Sequence, residues 1–118
     1  MPERAVVRQL VWKAGGIRCA APLDALIEVV PAGGITPIPG VAGAISGLAN
    51  VRGRVVTVVD GRVLVDAPSP DPPALLVLVR VGHRTLALGV DEVEDLVTDL
   101  AGARPLDLEA LLAPLFPE

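Results

Sequence analysis

The chain of 118 residues has few aromatic side chains: Trp12 and Phe116 are its only Phe, Trp or Tyr residues. Lys and Arg are also fewer than Asp and Glu, which gives a formal net charge of −4. A surface that binds nucleic acid by base stacking needs aromatic faces together with positive charge. The composition therefore predicts no nucleic-acid partner.

Cysteine and histidine occur once each, as Cys19 and His83. One cysteine cannot form an intrachain disulfide, and one cysteine with one histidine cannot complete a structural zinc site of the usual type. A lone thiol suits a reducing compartment. We therefore predict no metal, no cofactor and a cytoplasmic location.

Long hydrophobic runs are also missing. The apolar stretch near the start of the chain is interrupted by Arg8 and Lys13, whereas a membrane span needs about 20 mostly apolar residues. The same stretch lacks the pattern of a signal peptide. We expect no direct membrane insertion.

Small and branched apolar residues dominate, since 52% of the chain is hydrophobic and it contains 12 Gly and 12 Pro. A chain of this length buries roughly two-thirds of its unfolded surface on folding, which excludes intrinsic disorder. Residues 1–118 are predicted to form a single domain. Its two lobes are predicted to meet near a proline-rich connector at residues 67–73.

Short runs rich in Val and Ile are bounded by Gly and Pro, a pattern typical of strands. The spacing favours a mainly antiparallel all-β barrel or sandwich. Short helices are predicted at 22–26 and 61–65. A C-terminal helix is predicted over 106–115, with Asp107 as its N-cap. An irregular loop is predicted over 31–43, and strands are predicted over 5–13, 17–20, 27–30, 45–51, 54–59, 75–81, 85–90 and 92–100.

No coherent catalytic set is present, so the chain is not predicted to be an enzyme. The acidic residues between Asp91 and Asp99 do not have EF-hand spacing, and their alternation with Val fits a strand with one wet face. The class of function that remains is binding to a partner. Arg52 and Arg54 lie on either side of Gly53 in an apolar stretch. Two interpretations are equally open: both Arg side chains are solvated, or Arg52 is an anchor that pairs with a carboxylate and faces a partner.

Four segments in order over nearly the whole length resemble the CheW-like coupling-protein family of bacterial chemosensory systems. The strongest runs from Gly47 to Asp60 and is similar to the pattern Gly-Leu-x-Asn-Leu-Arg-Gly-x-Val-x-Pro-Val-x-Asp. The other three are residues 21–30, a proline-bearing loop at 35–40, and residues 89–96, which contain Val90-Asp91-x-Val93.

The resemblance implies two intertwined SH3-like β-barrel lobes and no catalysis. It implies an adaptor that couples the regulatory domain of a CheA-type histidine kinase to the cytoplasmic hairpin of chemoreceptors. Arg52 then corresponds to the central receptor-contacting Arg, and Glu28 to the acidic residue that pairs with it. The resemblance extends to further positions at or beneath the receptor groove: Leu26, Thr36, Gly47, Leu86, Val93 and Leu96.

The chain departs from the family pattern at Thr57, where Pro is usual, and at Gly61, where Leu is usual. Only residues 101–105 separate the Val-Asp strand from the closing segment, so one barrel strand of the second lobe is expected to be shortened or missing. Two alternatives to the adaptor follow. One is a trimmed barrel that binds a single partner as a competitor or array filler, and the other is a small-molecule-binding β-barrel.

Overall fold

A computed structural model describes residues 9–22, 25–38, 43–97 and 102–116 of the chain. Short strands make up most of this part, together with one α-helix, α1 (Leu108–Leu112), and 3₁₀ turns at Val63–Val65 and Ala113–Leu115. The strands are β1 (Gln9–Ala14), β2 (Ile17–Pro22), β3 (Leu26–Pro31), β4 (Ile45–Val51), β5 (Arg54–Asp60), β6 (Leu75–Val81), β7 (Arg84–Val90), β8 (Glu92–Val97) and β9 (Arg104–Pro105).

The strands form two intertwined sheets, because the chain leaves the first sheet after β2 and returns to it at β8. The four-stranded sheet has the order β8-β1-β2-β9, and the five-stranded sheet has the order β3-β6-β7-β5-β4. Pairing is antiparallel except between β2 and β9 and between β5 and β7. The first two strands thus pair with the last two, which confirms the predicted mostly β fold of two intertwined lobes. Within the described residues, neither sheet closes into a complete hydrogen-bonded ring.

The five-stranded sheet is buried on both faces, as strand β6 shows. Val77 and Val79 pack into the larger core between the two sheets, whereas Leu76 and Leu78 pack into a smaller core on the opposite face. Strands covered on both faces have continuous apolar runs rather than alternating ones. The larger core also contains Trp12, so it joins both sheets.

The proline-rich connector 67–73 begins against the four-stranded sheet, because Ala67 lies next to Gly15 of the β1–β2 turn; that the lobes meet near the connector stays a prediction. It leads from the 3₁₀ turn after β5 to β6, and both of those strands belong to the five-stranded sheet. The chain changes sheet between β2 and β3 and again between β7 and β8. Proline excludes regular strand pairing within the connector, but it carries no information about which sheet takes the strands on either side.

The C-terminal helix begins as predicted, because the Asp107 carboxylate accepts a hydrogen bond of 3.1 Å from the backbone N–H of Ala110. The α-helix ends at Leu112, and the chain continues as a 3₁₀ turn containing Pro114. Leu108 and Leu112 are buried in the core between the sheets. Strand β9, which precedes the helix, is two residues long, in agreement with the expected shortened strand.

Several predicted boundaries fall on residues outside the described part of the chain. These are 5–8 of the first predicted strand, 23–24 of the predicted helix at 22–26, 39–42 of the loop and 98–100 of the last predicted strand. Among the described residues, no helix has both the length and the apolar character needed to cross a membrane.

Candidate partner-binding site

Arg52 lies at the tip of the hairpin that joins β4 to β5. Val51 pairs with Arg54, so Arg52 and Gly53 form a two-residue turn, and both have positive φ angles, of 54° and 81°. Such turns match the twist of the flanking strands, although a left-handed conformation costs a non-glycine residue roughly 1–2 kcal/mol. The side-chain oxygen of Asn50 accepts the Gly53 N–H at 2.8 Å, which stabilises the turn. The Arg52 side chain is left 73% exposed.

Glu28 owes its orientation to a β-bulge in β3. Leu26 is opposite Val79 and Glu28 is opposite Leu78, so Ile27 is an extra residue without its own partner. A one-residue shift of register turns the following side chains to the other face of the sheet. Leu26 consequently packs against the core between the sheets. Glu28 instead shares a face with Leu78 and remains 29% exposed.

Arg52 and Glu28 form the predicted ion pair. The Nη1 group of Arg52 donates to Oε1 of Glu28 at 2.6 Å and to Oε2 at 2.7 Å. Charge-assisted contacts of this length fix geometry well, although exposed ion pairs generally contribute below ~1 kcal/mol to stability. The contact therefore orients the guanidinium more than it stabilises the fold.

Thr36 and Gly47 form a second contact along the same edge. Thr36 and Leu48 exchange two backbone hydrogen bonds of 2.8 Å, which attach the loop after β3 to strand β4. A side chain at Gly47 would overlap the carbonyl oxygen of Thr36, and the φ angle of Gly47 is +149°. Only glycine allows this close approach. We call the line formed by Glu28, Thr36, Gly47 and Arg52 the edge seam.

The remaining predicted residues lie away from the edge seam or beneath the surface. Leu86 is only 2% exposed, so it supports the surface from below and cannot itself contact a partner. Leu26 and Val93 are half-buried and pack against the same core. The side chain of Leu96 lies outside the described residues.

The sequence did not point to two exposed apolar side chains next to Glu28. Ile27 and Val29 are 46% and 37% exposed on β3. The run from Leu26 to Val30 is apolar except for Glu28, and such a run predicts burial on both faces. Exposure at an edge strand can be recognised only from the sheet order.

Two members of the acidic cluster, Asp91 and Glu94, are ion-paired, as the strand interpretation allows. Arg18 on β2 donates to both oxygens of Glu94 at 3.1–3.2 Å, and this hydrogen bonding lowers the pKa of Glu94. Asp91 pairs with Arg62. Among the described residues, no group of three or more His, Cys, Asp or Glu side chains could hold a metal ion.

Comparison with known protein families decides what this fold is. The model of the CheW-like domain matches residues 8–100. The chain belongs to the CheW-like family.

Fifteen chains of solved structures match the CheW-like fold described here. One is the crystal structure of the scaffolding protein TtCheW from Thermoanaerobacter tengcongensis, with a TM-score of 0.68 and 23% identity. The match covers 79% of this chain and 65% of the TtCheW chain, so this chain spans less than two-thirds of that relative. The comparison with curated proteins gives no match.

Proposed function

We propose that this CheW-like chain is a single-domain cytoplasmic adaptor. It couples the regulatory domain of a CheA-type histidine kinase to the cytoplasmic hairpin of a chemoreceptor, and it carries out no chemistry itself. Family membership supports the class of function. The single observation that carries the receptor-binding part is the exposed Arg52 guanidinium held by Glu28.

An exposed arginine ordinarily loses side-chain freedom when it binds, and that loss weakens affinity. Glu28 removes part of this cost because it already holds Arg52 in one orientation. The contact uses only Nη1 of the guanidinium, and an arginine offers five N–H donors in a fixed fork. The other donors are left for backbone carbonyls or carboxylates at the tip of a receptor hairpin.

Exposed apolar side chains on the strand that carries Glu28 support the same proposal. Ile27 and Val29 flank Glu28 in sequence and are exposed on an edge strand. Interfaces combine apolar contact area with a few oriented polar groups, and arginine is enriched among the residues that dominate affinity. An amphipathic helical hairpin presents both an apolar stripe and polar acceptors, which suits this surface.

A second candidate is a trimmed adaptor that binds one partner only. The two-residue strand β9 favours it. A shortened four-stranded sheet would remove one partner surface while leaving the edge seam intact. Such a chain would occupy receptor tips or kinase domains without bridging them.

A pull-down with two purified probes separates these candidates. One probe is a CheA-type regulatory domain, and the other is a soluble chemoreceptor hairpin fragment. The adaptor captures both, and simultaneous capture in one complex demonstrates bridging. Capture of a single probe favours the trimmed form, and capture of neither contradicts the proposal. Arg54→Ala is the matched control for Arg52→Ala, because Arg54 is an exposed arginine in the same hairpin.

A further inference from the structure

Arg62 is the one buried charged or polar residue among those described, with only 2% of its surface exposed. It follows β5 directly. Its backbone N–H and its Nε each donate to Oδ1 of Asp60 at 2.9 Å, and its Nη2 donates to Oδ2 at 3.1 Å. Nη1 points the other way and donates to Oδ1 of Asp91 at 3.2 Å.

Asp91 connects this arginine to the other sheet. It lies between β7 of the five-stranded sheet and β8 of the four-stranded sheet. Its Oδ2 accepts the backbone N–H of Gly15 at 2.7 Å, and its own N–H donates to the carbonyl of Lys13 at 2.9 Å. Polar contacts therefore run from Asp60 through Arg62 and Asp91 to the β1–β2 hairpin, and so from one sheet to the other.

A buried charge is costly unless its hydrogen bonds are satisfied. Arg62 meets this condition fully only when Asp91 stays beside it, which restricts how the two sheets can rotate against each other. Asp91 comes directly before β8, the strand that carries Val93. Asp60 is the last residue of β5, the strand that begins after the Arg52 turn. The contacts thus connect β8, which carries the predicted position Val93, with β5, which follows the turn that carries Arg52.

We propose that Arg62 and Asp91 form an interlobe clamp, a positioning device that fixes the orientation of the two lobes for a partner that contacts both. The clamp as a structural device is independent of the proposed receptor binding. Its role in affinity rests on that proposed function.

The test compares Asp91→Ala with two other variants. Asp91→Ala is chosen over a change at Arg62 because the Asp91 side chain is 38% exposed and its loss leaves Arg62 paired with Asp60. Asp91→Asn keeps an oxygen for the Gly15 N–H and should restore the clamp in part. Glu94→Gln is the matched control, since it removes the charge from the Arg18–Glu94 pair, which lies within the four-stranded sheet.

Distances between the lobes are measured by pulsed electron paramagnetic resonance with spin labels at Val55→Cys and Arg104→Cys. Both positions are exposed, one on each sheet, and the native Cys19 is buried. The same variants are titrated against a chemoreceptor hairpin fragment. We expect Asp91→Ala to broaden the distance distribution and to weaken affinity about fivefold or more, the low end of coupling between sites. Asp91→Asn should lie closer to the wild type, and Glu94→Gln should match it.

An unchanged distance distribution in Asp91→Ala would overturn the clamp, as would equal broadening in Glu94→Gln. A broadened distribution with unchanged affinity would overturn its positioning role. If the wild-type chain does not bind the hairpin, the proposed function fails, and the distance measurement still decides whether the clamp exists.

Discussion

Glu28 and Arg52 join the two edge strands of the five-stranded sheet although three strands lie between them in the hydrogen-bonded order. Glu28 lies on β3, and Arg52 follows β4. Their side chains meet at 2.6 and 2.7 Å across 24 positions of sequence. This contact requires the sheet to curl around its smaller core, which includes Leu76 and Leu78. The curl brings the guanidinium of Arg52 to Glu28 on the opposite edge strand, β3.

Gly47→Ala tests whether the edge seam depends on close backbone approach. The new Cβ would overlap the Thr36 carbonyl oxygen, and the backbone cannot withdraw without losing two hydrogen bonds to Leu48. We expect a loss of about 2 kcal/mol or more, which lowers the melting temperature by about 8 °C. Gly33→Ala is the control, because Gly33 has open space around it and no positive φ. Equal melting temperatures for the two variants would show that the seam tolerates a side chain at position 47.

Glu94→Gln tests the contribution of the Arg18–Glu94 pair through its pH dependence. Hydrogen bonding from Arg18 lowers the pKa of Glu94 below its ordinary value of 4.5. The folded state therefore gains stability from the ionised carboxylate above pH 4.5 and loses it as the pH falls through the lowered pKa. Wild type should melt higher than Glu94→Gln near pH 7, and the difference should shrink as the pH falls through the lowered pKa.

A melting-temperature difference that stays constant at every pH below 4.5 at which the protein folds would contradict this assignment. Glu92→Gln on the same strand is the matched control, because Glu92 is exposed and forms no ion pair with a described residue. Its difference from wild type should remain small throughout.

Cys19 is predicted to be chemically quiet in the folded protein. Burial raises the pKa of its thiol, an effect only partly offset by the positive charge of Arg104. Because the thiolate is the reactive form, a disulfide reagent such as DTNB at pH 8 should modify the native chain slowly. The same reagent should modify one thiol per chain at once in denaturant. Rapid modification of the native protein would show that Cys19 is accessible.

Most of the strands could be predicted because short Val-, Leu- and Ile-rich runs end at Gly or Pro. The cap at Asp107 follows from local chemistry in the same way, and it is present. Sheet membership could not be obtained in this way, because β6 and β7 carry no local mark of which lobe they join. That the lobes meet near the connector at 67–73 stays a prediction for that reason.

The candidate site shows the same limit. The chemistry of Arg52 left its role open, and only the resemblance to the CheW-like family supplied Glu28 as its partner. The sequence did not point to Arg62 because its partner Asp91 lies 29 positions further along the chain. An arginine in a short helical segment is usually solvated, so only the packed structure reveals its burial.

The central claim, that Arg52 held by Glu28 binds a chemoreceptor hairpin, is tested most directly by a double-mutant cycle of binding isotherms. Arg52→Ala should weaken affinity more than about tenfold, and Glu28→Ala should also weaken it, while each shifts the melting temperature only slightly. The double mutant should be no weaker than Arg52→Ala alone because the two residues act as one unit, and Arg54→Ala should bind like wild type. Equal affinities for wild type and Arg52→Ala, or fully additive losses in the cycle, would contradict the account.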